Sequence, residues 1–133
     1  MNSFPGQIAE INTNGAMSIV GVRMNGGEKL MSVVIDTPES APYLKMGNKV
    51  NVLFKEMEVA VSTQTELDIS IENRIAGKIT NMEMGVLLSR LTLETKLGEV
   101  IAIISTMSVG QMGLGKGMKV MMMIKLNEII LAP

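Results

Sequence analysis

The chain has no cysteine, no histidine and no tryptophan, and its aromatics amount to one tyrosine and two phenylalanines. Without cysteine there is no disulfide, no thiolate nucleophile and no thiolate-bound zinc. Without histidine the commonest general base and the commonest transition-metal ligand are both missing. So few aromatics leave no platform on which single-stranded nucleic acid could stack its bases. Neither sign of charge dominates. Twelve basic against 13 acidic residues give a formal charge of −1, so no broad field draws in DNA, RNA or an anionic membrane. No apolar run is long enough to cross a membrane, since "VMMMI" stops at Lys125. The opening "MNSFPGQIAEI" lacks the basic and apolar regions of a secretory signal. These absences predict a cytoplasmic, soluble chain with an aliphatic, methionine-rich core. No paired acids and no nucleophile with its base recur at useful spacing, so an enzyme is not expected.

What the sequence does contain is a repeat. With a shift of 70 residues, Gly15 falls on Gly85, Leu44 on Leu114, Gly47 on Gly117, Lys49 on Lys119 and Val50 on Val120. Lys55 then meets Lys125, Glu58 meets Glu128 and Val59 meets Ile129. A one-residue slip near the start aligns Asn2 with Asn73, Gly6 with Gly77 and Ile8 with Ile79. Two homologous units, 1–63 and 64–133, are expected, joined through the polar stretch "STQTELD". "SIENRIAGKI", from Ser70 to Ile79, opens the second.

Each unit reads as β structure. Apolar residues alternate in "QIAEI" and "KITNM", in "MSIVGVRM" and "LLSRLTL", and in "KLMSVVI" and "EVIAII". "NGGEK" and "KLGE" mark hairpin turns between the second and third strands. A helical or turn element follows, where Thr37 before Pro38 fits an N-cap with proline at the first helical position. Gly47 and Gly117 are expected to supply positive-φ turns into a fourth strand. The predicted fold is all-β: two tandem, small, OB-like five-stranded barrels, each with a short helical turn before strand 4. A unit of this size has a marginal core, and "VMMMI" has no polar face. The units should therefore pack on each other or on further copies.

The second unit runs through "SIENRIAGKI", "MGVLLSRLTL", "VIAIISTMS", "MGLGKG" and "VMMMIKLNEIILA". In that order and spacing it resembles the molybdenum-binding Mop, or molbindin, domains, also called TOBE domains. Their unit opens "SARNxLxGxV" and closes "VxAxIKAxxVILA". The first unit follows the pattern more loosely, so the whole looks like the tandem, di-Mop form. The resemblance implies a cytoplasmic binding protein for molybdate or tungstate, serving storage or homeostasis, with no redox or nucleotide cofactor. It also implies a homotrimer with oxyanion pockets where units of different subunits meet. The alternatives it leaves open are the sensing module of a molybdate-responsive regulator, the tail of an importer ATPase, and a degenerate assembly domain. The start Met directly before the first unit favours a complete small protein.

Molybdate is a tetrahedral dianion with four acceptor oxygens and no donor, so its site needs hydroxyls, N–H groups and a cation. The resemblance assigns Ser70, Asn73, Ser105, Ser108 and Lys125 to such a site. Lys55 is the surviving lysine of the first unit, where Ile35 and Pro38 stand at the hydroxyl positions. Glu72 occupies the motif's arginine position. On an extended strand Ser70, Glu72 and Arg74 share a face, so Arg74 is expected either to neutralise Glu72 or to supply the missing cation. Two further signals point elsewhere and are set aside. Fourteen methionines suit a Cu(I) site, but most fall at core positions. "GLGKG" lacks the spacing of a phosphate loop.

Overall fold

The computed structural model describes residues 1–133. The first half forms β1 (Asn2–Asn14), β2 (Met17–Met24), β3 (Lys29–Val34), β4 (Lys49–Phe54) and β5 (Ala60–Ser62). The second forms β6 (Asn73–Met84), β7 (Leu88–Thr95), β8 (Gly98–Ser105), helix α1 (Thr106–Met112), β9 (Lys119–Ile124) and β10 (Ile130–Ala132). Short 3₁₀ turns at Glu56–Glu58 and Leu126–Glu128 precede β5 and β10. The strands follow from the alternation. In β2, Ser18, Val20, Val22 and Met24 face inward while Met17, Ile19 and Arg23 face out. In β7, Ser89, Leu91 and Leu93 repeat the inward set and Leu88, Arg90 and Glu94 the outward one. Gly47 and Gly117 take positive φ, 87° and 93°, at the turns into β4 and β9, as their repeat positions predicted.

Two five-stranded antiparallel sheets result, in the orders β10-β4-β1-β2-β3 and β5-β9-β6-β7-β8. Each takes its fifth strand from the other half of the chain. Ile130, Leu131 and Ala132 pair with Leu53, Val52 and Asn51, while Ala60, Val61 and Ser62 pair with Met123, Met122 and Met121. A division between residues 63 and 64 thus separates the sequence repeats but cuts across both sheets. The crossings are anchored where the chain leaves each 3₁₀ turn. Val59 and Ile129 are buried there, and the Ser32 hydroxyl donates to the Ile129 carbonyl at 2.8 Å. One apolar core joins Val20, Val22 and Phe54 of the first sheet to Leu91, Leu93 and Met122 of the second. Met122, Met123 and Ile124 are all buried, so the apolar run of β9 is covered on both faces.

Two details differ from expectation. The register pairs Thr13 with Ser18 and Met84 with Ser89, so Ser18 corresponds to Ser89 and Gly15 does not correspond to Gly85. The one-residue slip between repeats lies in the β2–β3 hairpin, where five residues separate the paired Arg23 and Lys29 against four between Glu94 and Glu99. The element before the fourth strand also differs between the halves. It is a seven-residue helix in the second, but in the first a hydrogen-bonded turn in which Ser40 and Ala41 donate to the Thr37 carbonyl at 3.0 and 2.9 Å. Pro38, Pro42 and the lack of a longer apolar stripe keep it from extending.

Candidate functional site

The start of β6 assembles most of the residues that the motif singles out. Asn73 pairs with Ile124, so Glu72 and Lys125 are the first residues beyond that end of the ladder. Lys125 is exposed and forms no ion pair; its carbonyl accepts from the Glu128 N–H at 2.9 Å. Lys55, its counterpart in the first half, is likewise exposed and free of ion pairs, and its N–H donates to Glu58 Oε1 at 3.1 Å. Ser70 and Glu72 are both exposed, in the irregular segment before β6.

Asn73 is buried, and its carboxamide is committed to backbone. Oδ1 accepts from the Met31 N–H at 2.7 Å and Nδ2 donates to the Met31 carbonyl at 2.9 Å. Asn2 makes the same pair of bonds to Ile101, both at 2.9 Å. Arg74 does not reach Glu72. Its Nε donates to the Ile71 carbonyl at 2.9 Å, Nη1 to Leu67 at 2.7 Å and Nη2 to Ile69. The shared-face expectation fails because residues 70–72 precede the strand, and the carbonyls of Leu67, Ile69 and Ile71 offer the guanidinium three acceptors without desolvating a carboxylate. Arg74 thereby shapes the segment that bears Ser70.

The other end of β6 holds a cluster of hydroxyls. Ser105 caps α1: its Oγ accepts from the Ser108 N–H at 3.1 Å and donates to Ser108 Oγ at 2.8 Å. Thr106 Oγ1 donates to the Gly85 carbonyl at 2.8 Å, so in its 2.7 Å contact with Ser89 it accepts. Ser105, Thr106 and Ser89 have each placed their single proton. Ser108 has not, and it can donate to an incoming acceptor. Beside the cluster an open cavity of about 390 Å³ is lined by Glu83, Gly85, Leu88, Ser89, Arg90 and Ile103. Ser89 and Thr106 were missed in the sequence reading. The available signal was a polar residue at an inward position of both β2 and β7, because Ser18, the counterpart of Ser89, donates to the Asp36 carbonyl at 2.7 Å.

Within one chain the two groups stay apart. Asn73 begins β6, whereas Ser105 reaches its far end through Leu88 and the pairing of Ser89 with Met84. Along the strand that separation is on the order of 30 Å, at ~3.3 Å per residue. Next to the hydroxyls the surface is apolar: Val86 is 94% exposed, Leu87 79% and Met107 69%. No three acidic side chains converge to hold a metal cation.

Residues 69–131 match the family model described as the TOBE domain. A curated relative, the molybdenum transport protein ModE of Azotobacter vinelandii, is 23% identical over 132 residues. That match covers 98% of this chain but 49% of the relative, so the chain spans about half of that protein's length. Among solved structures, the cytoplasmic molybdate-binding protein ModG, in a form with molybdate bound, superposes with a TM-score of 0.90 at 25% identity. This match covers 98% of the present chain and 94% of ModG. The second half of the chain thus matches the TOBE domain model, and the whole is similar to ModG along nearly its full length and to about half of ModE.

Proposed function

We propose that the protein binds molybdate in the cytoplasm, as a binding protein for storage or homeostasis and not as an enzyme. The observation that carries this reading is the similarity to ModG along nearly the full length of both chains. The chemistry agrees with it. A ligand made only of acceptor oxygens would meet an unpaired Lys125, an exposed Ser70 hydroxyl and the spare proton of Ser108. Since those groups lie at opposite ends of β6, the site is completed by a second copy. Ser70 and Lys125 come from one subunit, Ser105 and Ser108 from another. The apolar surface at Val86, Leu87 and Met107 suits that contact, because patches of this kind mark interfaces. We assign the assembly as a homotrimer and include tungstate, an oxyanion of the same shape, among the ligands.

Lys55 and the first half supply no equivalent side-chain site. Ile35 and Pro38 stand where Ser105 and Ser108 do, and Ser40 is tied to Thr37 and Asp36. A second reading, that the chain is the molybdate-sensing half of a regulator, is favoured by its match to about half of ModE. Calorimetric titration with molybdate, tungstate and sulfate, alongside the mass in solution, tests the proposal. Saturable binding of the first two by a trimer is expected. A folded oligomer giving no heat with either would refute it.

A further inference from the structure

A second charged feature lies on the outer face of the second sheet. Lys78 on β6 stands directly opposite Lys119 on β9, and Gly77 beside it stands opposite Thr95 on β7. Like charges facing each other across a ladder destabilise a sheet. Neither lysine is relieved by an ion pair, although Glu94 faces Lys78 from the other side. Lys96, from the β7–β8 hairpin, joins them at an open cleft of about 490 Å³ that Thr65 and Thr95 also line. Its Nζ lies 3.8 Å from Glu28 Oε2, so it is only loosely held. Gly77 keeps the floor low. A Cβ there would come within 3.1 Å of Thr95 Cγ2 and 3.2 Å of the Glu94 carbonyl.

The corresponding place in the first half lacks this character. The cleft there is about 260 Å³ and is lined by Pro5, Gly6, Gln7, Asn25 and Lys49. Gln7 stands where Lys78 does, and its Nε2 is already donated to the Gly47 carbonyl at 2.9 Å. One cation remains where the second half gathers three.

We propose that the Lys78–Lys96–Lys119 cleft is an anion site for a small molecule carrying two or more phosphoryl groups. Three ammonium groups against Glu94 and the more distant Glu28 still leave an excess of positive charge in a chain whose formal charge is −1. Lysine binds phosphoryl oxygens as a point charge, and the two threonines add hydroxyl donors. At about 490 Å³ the cleft has room for a ligand longer than one tetrahedral oxyanion. The site is separate from Ser70, Ser105, Ser108 and Lys125, and does not depend on molybdate binding.

The test is calorimetric titration of the full chain with inorganic tripolyphosphate and, for comparison, orthophosphate. Saturable tripolyphosphate binding is expected, tighter than orthophosphate and weakened by added salt. The Lys78→Gln/Lys119→Gln double variant should bind it about tenfold or more weakly, because each loses a charge-assisted contact. Its molybdate titration should match that of the parent protein. Relief of the facing charges should keep the double variant at least as stable as the parent, and tripolyphosphate should raise the melting temperature of the parent alone. Absence of saturable binding, equal affinity in the double variant, or binding of an acidic peptide but not tripolyphosphate would each overturn the proposal.

Discussion

The carboxamide of Asn73 holds both backbone polar groups of Met31, a residue of the other sheet, with bonds of 2.7 and 2.9 Å. It presents to β3 the donor and acceptor that a neighbouring strand would, and Asn2 does the same for β8 at Ile101. Two exposed sheet edges are closed in this way by single side chains of the opposite half. Asn73→Ala should destabilise the fold by about 2–4 kcal/mol, because a buried N–H and C=O lose their partners together. Asn2→Ala should cost a similar amount. Urea denaturation measures both, and a loss below about 0.5 kcal/mol would be an ordinary surface effect.

Glu72 and Lys125 adjoin at the end of the β6–β9 ladder without forming an ion pair. On the proposed function, Glu72 repels the oxyanion that Lys125 attracts. Glu72→Arg should therefore tighten molybdate binding, roughly tenfold, or ~1.4 kcal/mol. Lys125→Ala should weaken it without unfolding the protein, since the side chain is exposed. Calorimetry on the two variants reads both effects. Unchanged affinity in both would move the site elsewhere.

The exchange of β5 and β10 makes each sheet depend on the distant half of the sequence. Deleting residues 130–133 removes the strand that covers β4 and leaves Leu53, Val52 and Asn51 unpaired on that side. Amide exchange should then accelerate in β4 and β1 of the first sheet, while β7 and β8 stay protected. Acceleration confined to the second sheet would contradict the topology.

Lys29 beside Glu10, followed by the 3.1 Å bond from Asn12 Nδ2, holds the Glu10 carboxyl below the usual carboxylate range. A depressed folded-state value contributes stability above the ordinary carboxylate pKa and loses it as pH falls through the folded value. Stability should therefore decline on acidification below about pH 4.5, the ordinary value for this carboxyl, and decline less steeply in Glu10→Gln. The effect is small because both side chains face solvent. Parallel acid limbs for the two proteins would show that Glu10 contributes nothing.

The strands, the hairpins and the positive-φ turns at Gly47 and Gly117 were legible because each is local, written in alternation and turn chemistry. The strand exchange was not. A three-residue strand such as Ile130–Ala132 carries no mark of which sheet it will join, and its partner is chosen by tertiary packing around Val59 and Ile129. Asn73 was legible as a motif position, but its role was not, because "N" at a strand start reads equally as a ligand donor or a backbone clamp. Arg74 was assigned a charge partner on strand geometry that begins three residues after Ser70. Ser89 and Thr106 stayed hidden because their bonds join residues 17 apart, beyond the reach of any local pattern.

On the proposed function, molybdate sits between copies of this chain, on Ser70 and Lys125 of one and Ser105 and Ser108 of another. Anomalous diffraction from crystals grown with molybdate, collected at the molybdenum edge, tests it most directly. A molybdenum peak is expected at a subunit interface, within hydrogen-bonding distance of both groups of residues. A peak confined to the Lys78 cleft, or no peak in crystals of the folded oligomer, would contradict it.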